Sequence, residues 1–250
     1  MSTSADSADS PASFYDALAS RYDAMTRFPE RFAKERAFFG YLAGLGNIRS
    51  AIDAGCGTGL HALLLAELGA SVTAIDPSEE MLLRARKHAL EQGLSIVTHR
   101  SDIEGLPRLG LSPVDTIVCM GNTIAHLLTE DSLRTSLKHL YDLLLPGGIL
   151  VLQLLNYDRI LSSREEILSI REVNGVRFVR RYTYHDPTIT FTIEAGPDKR
   201  STELRPWTSR ALTEALTDAG FAITGTYGSL QCEPFDSAIS TDLILLSRRR

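Results

Sequence analysis

The chain has 250 residues, of which 44% are hydrophobic and 23% charged, an ordinary globular composition with length enough to bury a large core. Its net charge of −5 leaves no electrostatic footprint for a polyanion, so nucleic acid is disfavoured as a partner. Cys56, Cys119 and Cys232 are widely spaced and form neither a disulfide framework nor a metal-ligand pattern; the polar residues 1–12 hold no secretory apolar segment, and the longest apolar stretch, near Leu143 to Leu155, is broken by Pro146-Gly147-Gly148. These features predict a soluble, cytoplasmic protein with no metal site and no membrane partner.

Met1 to Ser13, rich in Ser, Ala and Asp, is expected to be a disordered tail. From Phe14 to Gly44 aromatic residues recur in a helical pattern. Strands are then predicted near 50–54, 71–76, 94–98, 114–119 and 148–155, with helices near 59–68, 78–92 and 130–145. The last of these helices carries Leu133, Leu137, Leu140 and Leu144 on one face, and Pro146-Gly147-Gly148 is expected to stop it. Alternating strands and helices predict an α/β fold with a doubly wound, mostly parallel sheet. Residues 158–206 break this alternation. Arg171 to Val179, Arg180 to His185 and Thr188 to Ala195 show period-two patterning, with Asn174-Gly175, Asp186-Pro187 and Gly196-Pro197-Asp198 as turn residues. They read as a small inserted antiparallel sheet, so that the core comprises 14–157 and 207–250. Ser209 to Ala219 is a helix ended by Gly220, and Phe221 to Tyr227 and Thr241 to Ser247 are the closing strands.

The most informative run is Ala51-Ile52-Asp53-Ala54-Gly55-Cys56-Gly57-Thr58-Gly59, a strand passing through an acidic residue into three alternating glycines and then a helix. A glycine turn lets a ligand approach the backbone, and the helix start offers unpaired N–H groups. The dinucleotide fingerprint requires G-x-G-x-x-G to clear a pyrophosphate, whereas here the spacing is G-x-G-x-G. Asp53 ahead of the turn would repel a pyrophosphate and suits a cationic ligand. A second acidic residue, Asp76, ends the next strand 23 positions after Asp53, where a carboxylate could accept both hydroxyls of a ribose. Pro77 suits a first helical position, and Glu79 and Glu80 suit the positive end of the helix dipole.

The run D-x-G-x-G-x-G resembles motif I of the class I S-adenosylmethionine-dependent methyltransferases. The resemblance implies a Rossmann-like seven-stranded sheet with an antiparallel last strand, and S-adenosylmethionine as the cofactor. It implies that Asp53, Ala54, Gly55, Gly57 and Gly59 cradle the methionine part, that Asp76 with Pro77 receives the ribose, and that Met81 packs on the adenine. Ser101-Asp102-Ile103 after the third strand would read the adenine amino group. Tyr15-Asp16-Ala17-Leu18-Ala19-Ser20-Arg21-Tyr22-Asp23 is similar to the Y-D-x-L-A-x-x-Y-D opening of many small-molecule methyltransferases. Met120-Gly121-Asn122-Thr123-Ile124-Ala125-His126-Leu127 and Asn156-Tyr157-Asp158 resemble segments of the glycine N-methyltransferase group. Arg31, followed by Glu35, matches an arginine that this group uses for the cofactor carboxylate.

A sulfonium methyl is already activated, so the protein mainly aligns a nucleophile and excludes water. His126, on the loop after the fourth strand, is the candidate base for an amine acceptor, with a packing role weighed about evenly. Tyr15, Tyr22 and Tyr157 are candidates to line the transfer channel; Trp207 either closes the substrate side or belongs to the core. His61, His88, His99, His139 and His185 read as surface or packing residues. The expected function is methyl transfer to a small-molecule N or O nucleophile, with N favoured, and a homodimer is compatible with it. The alternatives are a catalytically silent S-adenosylmethionine-binding protein and a nicotinamide oxidoreductase. The 158–206 insertion is expected to act as an acceptor-side lid through Arg181 and Tyr184. Leu155 stands where the glycine-methylating group has a carboxylate-binding arginine, so free glycine is expected to be disfavoured, unless Arg181 or Arg205 supplies the cation.

Overall fold

The computed structural model describes residues 8–173 and 175–250. Two helices open the chain, α1 (Pro11–Thr26) and α2 (Phe28–Leu45). Ser10 caps α1, its hydroxyl accepting from the Ser13 N–H at 3.3 Å, and Pro11 occupies the first helical turn where its missing N–H costs nothing. Residues 11–13 are therefore helical, which corrects the expected tail; residues 1–7 lie outside the described residues. Arg27, in the left-handed region at φ 56°, separates the two helices within what reads in sequence as one stretch.

The core then runs β1 (Ser50–Ala54), α3 (Leu60–Glu67), β2 (Ser71–Asp76), α4 (Glu79–Glu91), β3 (Ile96–Arg100), β4 (Val114–Cys119), α5 (Glu130–Asp142) and β5 (Leu144–Leu155). After α6 (Tyr157–Ser163) come β6 (Ile167–Val173), β7 (Val176–Tyr184), β8 (Ile189–Ala195) and β9 (Asp198–Leu204). The chain closes with α7 (Ser209–Asp218), β10 (Phe221–Tyr227) and β11 (Asp242–Arg249). Seven strands form one sheet in the order β10-β11-β5-β4-β1-β2-β3, and β11 alone runs antiparallel to its neighbours. Alternation along the strands divides the core. Ile52, Leu150, Leu152 and Leu245 face the α5–α7 layer, while Ala51, Ile149, Val151 and Ile244 face the α2–α3 layer.

Two expectations about this core change. Pro146-Gly147-Gly148 does not stop a helix, because α5 has already ended at Asp142; it forms an irregularity inside β5, where the register to β4 jumps from Val114–Leu144 to Thr116–Ile149. The insertion has four strands, in the order β6-β7-β8-β9, whereas the period-two pattern suggests three; the expected strand Arg171 to Val179 spans the turn at Gly175, and β7 runs unbroken across the expected boundary between Val179 and Arg180. β9 was hidden because its Asp198, Lys199, Arg200, Ser201 and Glu203 carry no apolar alternation. Gly175 lies in the turn joining β6 and β7; Asn174, predicted to share it, lies outside the described residues. The sheet packs on α1, with the Asp9 N–H donating to the Ser201 carbonyl at 2.8 Å and Phe178 and Ile193 burying against Phe14 and Leu18. No helix among the described residues is long and apolar enough to cross a membrane.

Candidate active site at the carboxyl ends of the strands

The ends of β1, β2, β3 and β4 open into a cavity of about 300 Å³ that α1 and α2 cover. Gly55 (φ 79°) closes the turn after β1, its N–H donating to the Ile75 carbonyl at 2.7 Å. A Cβ there would stand 2.3 Å from Thr123 Cγ2, so this turn and the loop after β4 fit together only around a glycine. The Gly57 N–H donates at 2.9 Å to Asp76 Oδ2, while Asp76 Oδ1 accepts the Ser78 N–H at 2.9 Å. Burial pushes the Asp76 carboxyl up to about 6; the two backbone donors offset part of this, and the charges of Asp53 and Asp16 add to it. A carboxylate held in this way has lone pairs left for a ligand diol.

Arg31 reaches the same cavity from α2. Its Nε donates to Glu35 Oε1 at 2.6 Å, and among the described residues its terminal nitrogens have no partner. Glu35 Oε2 is 3.0 Å from His61 Nε2. Burial would raise the Glu35 carboxyl, but the hydrogen bond and charge of His61, together with Arg31, outweigh it and bring it down to about 2. His61, placed by sequence among surface and packing histidines, lines the cavity and braces Arg31 through Glu35. The signal was available in the Arg31–Glu35 spacing and in the position of His61 just inside α3; what sequence lacks is that α2 lies across α3.

The repeated Y-D dipeptide of α1 has a physical explanation. Tyr15 and Tyr22 are two helical turns apart, so both face the cavity, with ring centroids 6.0 Å apart in an edge arrangement. The aspartates clamp α1 onto α4: Asp16 Oδ1 accepts from the Ser78 hydroxyl at 2.5 Å, and Asp23 Oδ2 lies 3.2 Å from His88 Nε2. Tyr15 and His126 are hydrogen-bonded, hydroxyl to Nε2, at 3.1 Å, and His126 Nδ1 has no partner. Burial lowers the His126 imidazole to about 4 and raises the Tyr15 hydroxyl, so both are neutral near pH 7. An imidazole lowered in this way is a poor acceptor for an ammonium proton, and the 3.1 Å bond places His126 to orient Tyr15.

Tyr15, Tyr22, Arg31, Gly55, Gly57, Asp76, Pro77, Ser101, Asp102, Ile103, Met120, Gly121 and His126 all line the cavity. Six expected residues do not. Asp53 faces the α3 layer, fully buried and, among the described residues, without a hydrogen-bond partner on either oxygen, because strand alternation turns it away from the opening. Ala54 ends β1 and is fully buried in the core. Gly59 is required by packing, since a Cβ there would stand 2.9 Å from Ala85 Cβ in α4. Met81, fully buried in α4, belongs to the core. Asn122 donates to the Tyr157 hydroxyl at 2.8 Å and its Oδ1 accepts from the Leu155 N–H at 3.3 Å, so Asn122 and Tyr157 tie the loop after β4 to the end of β5. Trp207 is a core residue: its Nε1–H donates to the Leu127 carbonyl at 2.9 Å.

The insertion presents different residues from those expected. Arg181 pairs with Glu194 at 3.3 Å and the Tyr184 hydroxyl donates to the Glu165 carbonyl at 2.8 Å. Arg180 instead shares the face of Phe178 and Tyr182 that packs toward α1, and its electrostatic neighbours are Tyr22, Tyr15, Tyr182 and Arg171. Leu155 does not reach the cavity, so it cannot act as an apolar wall against a carboxylate.

Comparisons with known proteins agree with this geometry. A methyltransferase domain family matches residues 51–148. The chain is 27% identical to a glycine/sarcosine N-methyltransferase of Aphanothece halophytica over 220 residues, 87% of this chain and 83% of that protein. It is 35% identical to a glycine/sarcosine N-methyltransferase of Parasynechococcus marenigrum (strain WH8102) over 141 residues, 56% of this chain and half of that protein. An S-adenosylmethionine-dependent methyltransferase structure from Clostridium acetobutylicum superimposes with a TM-score of 0.77 at 19% identity, covering 94% of this chain and 98% of that one, and so shares the fold. The names of the two relatives conflict with the expectation that free glycine is disfavoured, and the position of Leu155 removes its physical basis.

Proposed function

We propose that the chain, a methyltransferase by its matches, methylates the nitrogen of a small-molecule amine with S-adenosylmethionine, the glycine turn serving the cofactor and the α1 tyrosines serving the acceptor. The observation that carries this reading is the hydrogen-bonded Tyr15–His126 pair on the wall of the cavity that Asp76 and Arg31 also line. The bound cofactor supplies an electrophilic sulfonium methyl, open to in-line attack by a nitrogen lone pair.

The chain's own residues do the rest. Arg31 offers its terminal nitrogens to the cofactor carboxylate, held in place by Glu35 and His61. Asp76 accepts the ribose hydroxyls, and Asp102, whose Oδ1 takes the Gly105 N–H at 2.7 Å, shapes the adenine end with Ile103. Tyr15 and Tyr22 remain neutral hydroxyls that can accept an N–H and orient the lone pair, while His126 fixes the Tyr15 ring. With no group in this set able to store an ammonium proton, the acceptor enters as the free amine, having left its proton with solvent. The inserted sheet, β6–β9, is the acceptor-side wall, joined to the core through α1.

A methyl-transfer screen of amines, phenols and carboxylates, with product identified by mass spectrometry, tests the reading. It predicts N-methyl products whose rate rises with pH toward the acceptor's own pKa, without an inflection near 6.5 from a histidine. Transfer to phenols with none to amines would contradict it.

A further inference from the structure

Among the described residues Arg180, like Asp53, is a charged group that its surroundings leave without a partner. It sits in the middle of β7, opposite Ile193 of β8 and Ser169 of β6, and side-chain alternation puts it on the same face as Phe178 and Tyr182. Phe178 is buried against Phe14 and Leu18 of α1, and Tyr182 is buried in the main core, so the guanidinium lies between two packed aromatic residues. Among the described residues it makes no ion pair, no hydrogen bond and no stack over an aromatic ring. The next residue shows what an accommodated arginine looks like on this sheet: Arg181 pairs with Glu194. Arg21 and Arg200 likewise pair with Asp198 and Asp9.

A guanidinium mostly withdrawn from water without a counter-charge is costly, and a ligand anion would remove that cost. Arg180 is not itself on the cavity wall, but Tyr15 and Tyr22 pack against the cluster that holds its same-face neighbour Phe178, and both rings line the cavity. Its flexible stem allows the head group to meet a ligand that these two rings border. One unpaired cation balances one negative charge, and a planar fork matches a carboxylate in bidentate fashion. We propose that Arg180 binds the carboxylate of the methyl acceptor, making the preferred acceptor an amino acid or another amine bearing a single carboxylate. This rests on the N-methylation reading, and it places the anion anchor on the inserted sheet, away from position 155 at the end of β5.

The test compares acid and amide forms of one acceptor, glycine and glycinamide, in wild type, Arg180→Gln and Arg180→Lys. Wild type is expected to prefer the acid. Arg180→Gln should lose about a hundredfold in kcat/KM on glycine while changing less than about threefold on glycinamide, and Arg180→Lys should recover part of the loss. Affinity for S-adenosylmethionine should be unchanged in both. A second arm needs no turnover: acetate, titrated into the complex with S-adenosylhomocysteine, should bind wild type at least about tenfold more tightly than either variant. Equal losses on acid and amide, a wild-type preference for the amide, or equal acetate binding would overturn the proposal. If no amine is methylated at all, the N-methylation reading fails by itself and the acetate arm still decides Arg180. Should Arg180→Gln not fold, Arg180→Lys carries the same comparisons.

Discussion

Around the glycine turn, the residues that reach the cavity sit just beyond strand ends: Gly55 and Gly57 after β1, Asp76 and Pro77 at the end of β2, Ser101 and Asp102 after β3, and Met120 and Gly121 after β4. The proposed acceptor side is assembled differently. Tyr15 and Tyr22 come from a helix at the start of the chain, His126 from a loop far along it, and Arg180 from the middle of a strand in an inserted sheet. The first region is a local product of the βαβ unit, where strand ends and helix starts converge on one ligand. The second exists only once α1 has docked on α4 through Asp16 and Asp23 and the inserted sheet has docked on α1. The cofactor side should therefore respond to local backbone changes, and the acceptor side to side chains distant in sequence.

The largest expected effect is at Gly55. Alanine there meets Thr123 at 2.3 Å and occupies φ 79°, a conformation that disfavours any Cβ. Gly55→Ala should cost about 2–4 kcal/mol of stability and abolish cofactor binding, as read by thermal unfolding and calorimetric titration. Adding Thr123→Ala should restore part of the loss by removing the clash while the backbone penalty stays. Full recovery would show that the turn is not backbone-constrained.

Asp76 is next. Asp76→Ala removes a charged acceptor and should weaken S-adenosylmethionine binding by about 1.5–3 kcal/mol. Because the folded carboxyl is raised above its unfolded value to about 6, ionising it opposes folding, so its contribution to stability is full below pH 4 and is lost as pH rises through 6. Cofactor binding has the opposite sign, since the diol needs the ionised form. Affinity should fall about tenfold between pH 7.5 and pH 5 in wild type and stay flat in Asp76→Asn. A pH-independent wild type would detach Asp76 from the ligand.

A smaller effect is expected at His126. Its bond to Tyr15 is a positioning contact, so His126→Gln should lower turnover about tenfold or less, leave cofactor affinity unchanged and leave the pH profile in shape. Loss of a titration near neutral pH would restore a base role. The smallest effects belong to Arg181→Lys and Tyr184→Phe, whose partners are Glu194 and the Glu165 backbone. Both should leave acceptor kinetics within about twofold of wild type. A large change in either would place the acceptor on the opposite face of β7.

The difference between the two regions also accounts for what the sequence reveals. Motif I, the acidic end of β2 and the residues after β3 and β4 are legible because strand, turn and helix signals occur within a few positions of one another. Motif position, and for Asp53 its charge as well, points both Asp53 and Met81 at the ligand; strand alternation and helix packing turn both inward. β9 escaped because an edge strand of polar residues has no apolar period. Arg180 escaped because choosing it over Arg181 requires knowing which face of β7 meets α1, and a one-residue error in that choice exchanges the two faces. The His61–Glu35–Arg31 chain escaped because it depends on how α2 crosses α3.

The independence of the two sides is tested most directly by two-substrate kinetics on Asp76→Asn, Arg180→Gln and the double variant. The expected result is that Asp76→Asn raises KM for S-adenosylmethionine alone, Arg180→Gln raises KM for the carboxylate acceptor alone, and the double variant adds the two effects to within about 0.5 kcal/mol. A strongly non-additive double variant, or a loss of cofactor affinity in Arg180→Gln, would show that Asp76 and Arg180 act on the same ligand and would contradict the account.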